Sequence, residues 1–279
     1  MKELFDEVSF KCSVLVTKSY STSFSMAVKM LAPSIRDAIY SIYGFVRFAD
    51  EIVDSFHGFD KEYLIIDFEN EYYKAQKFGI SLNPILNSFQ QTVKKYNIAD
   101  DLIQSFLKSM KMDLVKSDYN NTQEYQEYIY GSADVVGLMC LKVFVNGNDE
   151  LYEELKGEAM RLGSAFQKVN FLRDLKDDNL VLNRNYFPGF DLKSFDEKAK
   201  NEIIREIDED FKIAFQGIRK LPLEAKFGVY TAYVYYKKLL NKLENTPYHK
   251  IGNERIRVSN YSKAYLFANS FVSYKLRLV

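Results

Sequence analysis

Two rows of polar side chains, each in single file along an otherwise apolar helical pattern, limit what this chain can fold into. In the first, Tyr43, Arg47, Asp50 and Asp54 recur at i, i+4, i+7 and i+11. That spacing stacks them on one stripe of an α-helix. Ile42, Phe45, Val46, Ala49, Ile52 and Val53 surround the stripe. A helix that is apolar on most of its sides is a buried helix, and a buried carboxylate is costly unless it is paired or binds a cation. In the second row, Gln167, Asn170, Asp174 and Asp178 recur at i, i+3, i+7 and i+11, flanked by Arg173 and Asp177. Taken alone, the first row also reads as a salt-bridge stripe on a half-exposed face, Arg47 against Asp50 or Glu51. Two such rows in one chain are poorly explained as surface decoration.

Each row presents Asp-x-x-x-Asp on one face beside an arginine. If the rows converge across a helical interior, Asp50, Asp54, Asp174 and Asp178 make a hard, oxygen-rich metal site. The chain has only two histidines and two cysteines, so the ligand set points to magnesium, with manganese as a substitute, rather than zinc. Magnesium is usually held by one or two carboxylates plus the phosphates of a substrate. Arg47 and Arg173 supply planar forks suited to phosphate.

Helical periodicity runs through almost the whole sequence. Segments near 4–17, 34–55, 61–77, 84–96, 100–116, 123–145, 149–182, 196–217, 222–244 and 260–277 all fit, and no alternating strand pattern stands out. Stop and start signals agree. Asn83-Pro84 and Pro33 open helices, Gly58 and Gly79 follow helix ends, and Asp60, Thr122 and Asn148 fit as caps. The stretch 183–195 reads as one ordered loop. The expected architecture is therefore all-α, a single domain over 1–279. With 279 residues, 47% of them hydrophobic, a large core is within reach. Net charge is zero, which gives no footing for nucleic acid. Cys12 and Cys140 lie far apart in apolar surroundings and read as reduced, buried thiols. MKELFDEVSF lacks the apolar core of a signal peptide. The most apolar run, VVGLMCLKVFV at 135–145, is broken by Lys142 and is shorter than the ~18 residues of a membrane span. A cytoplasmic location is expected.

The stretches SYSTSFSMAVKMLAPSIRDAIYSIYGFVRFADEIVD (19–54) and LGSAFQKVNFLRDLKDD (162–178) closely resemble the squalene/phytoene synthase family, and the N-terminal half resembles its bacterial phytoene synthases. The resemblance spans nearly the whole chain. It implies an isoprenoid-synthase helical bundle around a central active-site cavity. It also assigns roles. Asp50 and Asp54 match the first magnesium motif, and Asp174 and Asp178 the second, with Asp177 where the family usually has Glu. Ser21, Ser23 and Phe24 match a motif over the diphosphates and the first prenyl chain. Tyr43 and Arg47 match a tyrosine and a diphosphate-binding arginine, and Gln167, Asn170 and Arg173 the second polar row. Tyr130 and Tyr186 match tyrosines near the reaction centre, and Arg257 a C-terminal basic residue that helps hold diphosphate. Two departures stand out. Ala133-Asp134-Val135-Val136-Gly137 replaces the family's Ala-Gly-Thr-Val-Gly, which leaves Asp134 facing either pocket or solvent. LNRNYFP keeps only Arg184 of an Arg-Gly-Arg.

The activity implied by the resemblance is magnesium-dependent, head-to-head joining of two geranylgeranyl diphosphates to phytoene through a cyclopropyl diphosphate, without NADPH. A C15-specific synthase making squalene, dehydrosqualene or hydroxysqualene from farnesyl diphosphate is the alternative. A one-diphosphate terpene cyclase or hydrolase suits the Ser-x-Ser-Phe stretch less well, and an inert helical assembly factor would have no need of four aspartates. The partners expected are prenyl diphosphates. Peripheral contact with a membrane is a further expectation, from the aromatic and basic segment YSKAYLFANSFVSYKLRLV. The sequence does not speak to oligomeric state.

Overall fold

The computed structural model describes residues 1–117, 119, 121–180, 184–188, 195–251 and 256–275; at 177–180, 260, 264, 273 and 275 it describes backbone only. Most of the 183–195 loop, and the helix ends expected at 181–182 and 276–277, lie outside the described residues. The rest is all-α, as expected. No strand occurs among the described residues beyond an isolated bridge at Asn185.

The N-terminal helix α1 (Lys2–Tyr20) packs on α3 (Pro33–Ser55) and α5 (Pro84–Tyr96). This contact is partly polar. Ser13 Oγ and Ser88 Oγ lie 2.8 Å apart, and Asn87 Nδ2 donates to Ser9 Oγ at 3.1 Å and to Asp6 at 2.9 Å. The serines on α1 are thus buried because α5 satisfies them. Between α1 and α3 comes α2 (Thr22–Lys29), a short helix that the sequence pattern did not reveal. Ser21 caps it by accepting the Phe24 N–H at 3.2 Å, the role Ser, Thr, Asp and Asn play at helix starts.

Next come α4 (Lys61–Phe78), α6 (Asp100–Val115), α7 (Thr122–Ile129), a π-helical turn (Tyr130–Asp134) and α8 (Val135–Phe144). Gly79 ends α4 at φ 69°. Asn121 caps α7, accepting from Glu124 N at 2.9 Å; Thr122, expected as the cap, is instead its first helical residue. The segment expected to be one helix over 123–145 is interrupted by the π-helical turn. Its Gly131 lies so close to α6 that a Cβ there would come within 1.9 Å of Ser109 Oγ and 2.8 Å of the Ser105 carbonyl. The C-terminal half is α9 (Asp149–Leu180), α10 (Glu197–Lys220), α11 (Leu223–Glu244), the single turn α12 (Tyr248–Ile251) and α13 (Asn260–Lys275).

There are two apolar cores. Phe45, stacked on Phe89 at 4.0 Å, centres the first, among Ile42, Ile65, Leu86 and Phe106. Phe171, stacked on Tyr186 at 4.0 Å, belongs to the second, with Phe211, Leu239 and Ile207. Truncating a ring such as Phe45 to Ala costs ~3–5 kcal/mol in sites of this kind. Both cores border a cavity between α2, α3, α8, α9 and α11. Among the described residues, no helix is long and apolar enough to cross a membrane.

Candidate functional site

The cavity measures about 500 Å³. That lies in the lower half of the ~300–1,000 Å³ range of ligand sites. Its two long walls are α3, from Ile39 to Asp54, and α9, from Leu155 to Asp174. The polar ends of both walls meet at the mouth. The floor is apolar, formed by Val28, Leu31, Ile218, Leu221 and Val229.

Both sequence rows face this space. Tyr43, Arg47, Asp50 and Asp54 line it from α3, and Gln167, Asn170, Arg173 and Asp174 from α9. The side chain of Asp178 lies outside the described residues. Phe24 also lines the cavity and stacks on Tyr43 with ring centroids 4.9 Å apart. Burial pushes the Tyr43 hydroxyl up to about 12 against the pull of Arg47. Tyr186 lines the mouth.

Ser21, Ser23, Tyr130 and Arg257 are not among the lining residues. Ser21 caps α2 as described. Tyr130 is 36% exposed, and Tyr128 lines the cavity instead. The physical reason is helical: Tyr128, Ser132 and Val136 share a stripe at i, i+4 and i+8, and Tyr130 points away from it. Arg257 is exposed, and its carbonyl accepts from Lys242 Nζ at 2.6 Å. Cys12 and Cys140 are free and only partly buried rather than fully so; Cys140 lines the cavity, where burial pushes its thiol up to about 12.

Three further residues complete the mouth. Asp113, from the last turn of α6, has a side chain 4% exposed and accepts from Tyr128 Oη at 2.8 Å. Arg184, 6% exposed, donates to Asp54 Oδ1 at 2.7 Å and to the Asp113 carbonyl at 3.0 Å. Its loop is tied to the end of α6 by backbone bonds between Asn185 N and Ser117 O at 2.8 Å and between Tyr119 N and Asn185 O at 3.3 Å. Tyr236 of α11 spans the two rows, donating to Asn170 Oδ1 at 3.4 Å beside Arg173. Arg173 itself holds Asp174, with Nε donating to Oδ1 at 2.9 Å. Arg47 pairs with Glu51 and lies 4.4 Å above the Tyr20 ring.

The electrostatics are unbalanced. Burial and then the neighbouring Asp54 push the Asp50 carboxyl up to about 7. Burial also pushes Asp113 up to about 7, though Arg184 and Tyr128 oppose it. Among the described residues, Asp113 Oδ1 and Arg47 Nε are buried without a close hydrogen-bond partner, although the Tyr119 hydroxyl faces Asp113. A surplus of carboxylate with a spare oxygen fits a hard divalent cation, and a spare guanidinium N–H fits an anionic oxygen. Among the described residues, no three His, Cys, Asp or Glu side chains gather into a closed metal cage. The donor set fits a cation shared between protein carboxylates and the oxygens of a ligand.

The curated phytoene synthase of Arthrospira platensis is 25% identical over 91% of the chain and 90% of its own length. The 15-cis-phytoene synthase of Synechocystis sp. is 27% identical over 92% of the chain and 82% of its own. The crystal structure of a dehydrosqualene synthase in complex with ligand superposes with a TM-score of 0.83 at 18% identity, over 97% of this chain and 98% of that one. That likeness shows the shared fold. The family profile described as squalene/phytoene synthase matches residues 17–262, and the chain belongs to that family of prenyltransferase-type enzymes, which condense prenyl diphosphates.

Proposed function

We propose that the protein joins two geranylgeranyl diphosphates head to head, through a cyclopropyl diphosphate, to give phytoene without NADPH, as a step of carotenoid biosynthesis. The observation that carries this reading is the length of the cavity. From Asp174 at the mouth to Leu155 near the floor, α9 lines it over nineteen residue steps, about 28 Å of helix at 1.5 Å per residue. An extended C20 prenyl tail, at roughly 1.2 Å per chain bond, needs about 19 Å and a C15 tail about 14 Å. The relatives named phytoene synthase support the same product.

Asp50, Asp54 and Asp174, with Asp178, would hold magnesium or manganese. The bound cation would supply Lewis-acid stabilisation of a departing diphosphate. Arg47, Arg173 and Arg184 grip the diphosphate oxygens, which stabilises charge as it develops on the leaving group. Tyr43 and Phe24 cover the first prenyl chain. The apolar walls, Ile39, Ile42, Val46, Leu162 and Phe166 among them, keep water from the carbocation. Contact with a bilayer belongs to the same reading, since Tyr261, Tyr265, Phe271 and Val272 are exposed on α13; flotation with liposomes at low salt tests it, and no co-flotation sinks it.

Farnesyl diphosphate is the second candidate substrate. A cavity long enough for C20 has the room for C15, since an apolar pocket rejects a shorter chain only through lost contact and not through a clash. The deciding experiment offers both diphosphates at equal concentration and reads hydrocarbons by mass, with and without NADPH. Phytoene is expected to dominate, with some dehydrosqualene. Dominant C30 product, or C40 product only with NADPH, overturns the reading.

A further inference from the structure

Behind one wall of the cavity lies a second buried ionic cluster, which the proposed chemistry does not use. Asp134 is its focus. It ends the π-helical turn and is 7% exposed, facing neither the cavity nor solvent. Ser164 of α9 donates to its Oδ1 at 2.7 Å. One turn further along α9, Lys168 donates to Asp210 Oδ2 at 2.7 Å and pairs with Glu206, both on α10. Arg161 donates to the other oxygen of Asp210 at 3.0 Å. Lys168 and Arg161 attract the Asp134 carboxylate and Asp210 repels it, but both cations are already committed to α10.

On the cavity side, the same turn presents Ser132 and Ala133, and the Ser132 hydroxyl is buried with no partner. The turn and α9 touch backbone to backbone. A Cβ on Gly163 would lie 2.7 Å from the Ala133 carbonyl and 3.2 Å from Asp134 Cα. Such contact is close but carries no direction. The turn carries its own wider-spaced bond, Val135 N to the Tyr130 carbonyl, and a side-chain bond from α9 adds an anchor from outside it. The Ser164–Asp134 bond is the directional one at this crossing.

We propose that Asp134 is a positioning residue: its bond to Ser164 clamps the π-helical turn to α9 and fixes the wall of Ser132 and Ala133 against which a prenyl chain is aligned. The proposal rests on the prenyl-diphosphate reading of the cavity. It makes the hydrogen bond, rather than the charge, the working element. The amide oxygen of Asn at 134 should accept the same bond, and Ala should not.

The test compares Asp134→Ala, Asp134→Asn and Ser164→Ala with the native protein. Amide hydrogen exchange over 130–137 reads the clamp directly. Binding of a non-hydrolysable prenyl thiodiphosphate, together with KM and kcat, reads the wall. Manganese binding, followed by its paramagnetic signal, reads the mouth. Asp134→Ala and Ser164→Ala should each speed exchange in the turn and weaken thiodiphosphate binding by about tenfold, the effect of losing one buried hydrogen bond. KM should rise in step, with kcat and manganese affinity within about twofold of native. Asp134→Asn should stay within twofold of native in binding and kinetics, with exchange in the turn no faster than native. If Asp134→Ala does not fold, Ser164→Ala decides alone. Unchanged exchange and binding in the folded variants overturn the proposal. So does Asp134→Asn behaving like Asp134→Ala, which would assign the effect to charge. If the native protein binds no prenyl thiodiphosphate of either length, the reading of the cavity has failed, and hydrogen exchange still judges the clamp.

Discussion

Asp210, behind the π-helical turn, has both of its oxygens occupied, one by Arg161 and one by Lys168. Asp113, at the cavity mouth, has one oxygen on Tyr128 and the other, facing the Tyr119 hydroxyl, without a close partner among the described residues. The two carboxylates are buried alike and belong to different kinds of cluster. Around Asp210, a lysine set between two carboxylates completes the hydrogen bonding from within the chain. Around Asp113, the negative charges of Asp50 and Asp54 crowd together and an arginine N–H is left over. A cluster whose task is to join helices can be closed by its own side chains. One that receives a charged ligand keeps donors and acceptors in reserve, and the cost appears as carboxyls held near pH 7.

The largest effect that could break this contrast is removal of the cation. Exhaustive chelation should abolish turnover, and magnesium or manganese should restore it; full turnover in the chelated protein would mean the mouth needs no metal. Next is Lys168→Met, which leaves buried Asp210 with the half-exposed Arg161 as its remaining cation. Breaking a buried pair in this way costs ~3–5 kcal/mol, read as a lower midpoint in urea. A loss below about 1 kcal/mol would show that the inner cluster is not the self-sufficient partner described here. Asp54→Asn should do the reverse, leaving a folded helical protein by circular dichroism while turnover falls ~10²–10³-fold, the usual effect of removing one electrostatic element of a site. Native-like turnover would remove Asp54 from the metal set.

The smallest effect separates charge from bond at Asp134. Burial pushes its carboxyl from 3.8 up to about 6. Between those values the folded chain binds more protons than the unfolded one, so native stability falls as pH rises from about 4 to 6. Asp134→Asn removes that loss. It should stabilise the protein at pH 8 by on the order of 2 kcal/mol, and the gain should vanish by pH 4. A gain that is the same at both pH values would place its origin elsewhere.

The sequence made the long helices legible because their caps and apolar stripes agree. Asp60, Asn83 and Gly79 stand where they were expected and do what their chemistry implies. The two site rows were legible for the same reason, four polar side chains in register on one apolar helix. Asp113 was missed because it stands alone on α6, and its burial is set by helices far away in sequence. Tyr236 is likewise one of 21 tyrosines, and only the approach of α11 to both rows singles it out. Tyr130 was expected at the cavity and Tyr128 lines it instead, with Ser132 and Val136, because the stripe runs through the π-helical turn, whose register the sequence does not show. The eight-residue α2 was too short to show its period beside the longer α1 and α3, and nothing local announces a π-helical turn, which arises from the packing of Gly131 against α6.

One helix of 32 residues, α9, carries both the polar end of the cavity and its deepest wall. It therefore works as a graduated rod. Each turn advances 5.4 Å, and each isoprene unit of four chain bonds advances about 5 Å. On the proposed reading, side chains one turn apart on the inner face, such as Leu155, Ala159 and Leu162, would mark successive isoprene units of a bound tail. A larger residue at any one of these marks shortens the space by a whole unit, so product sizes available to such a bundle change in steps of five carbons per chain rather than continuously.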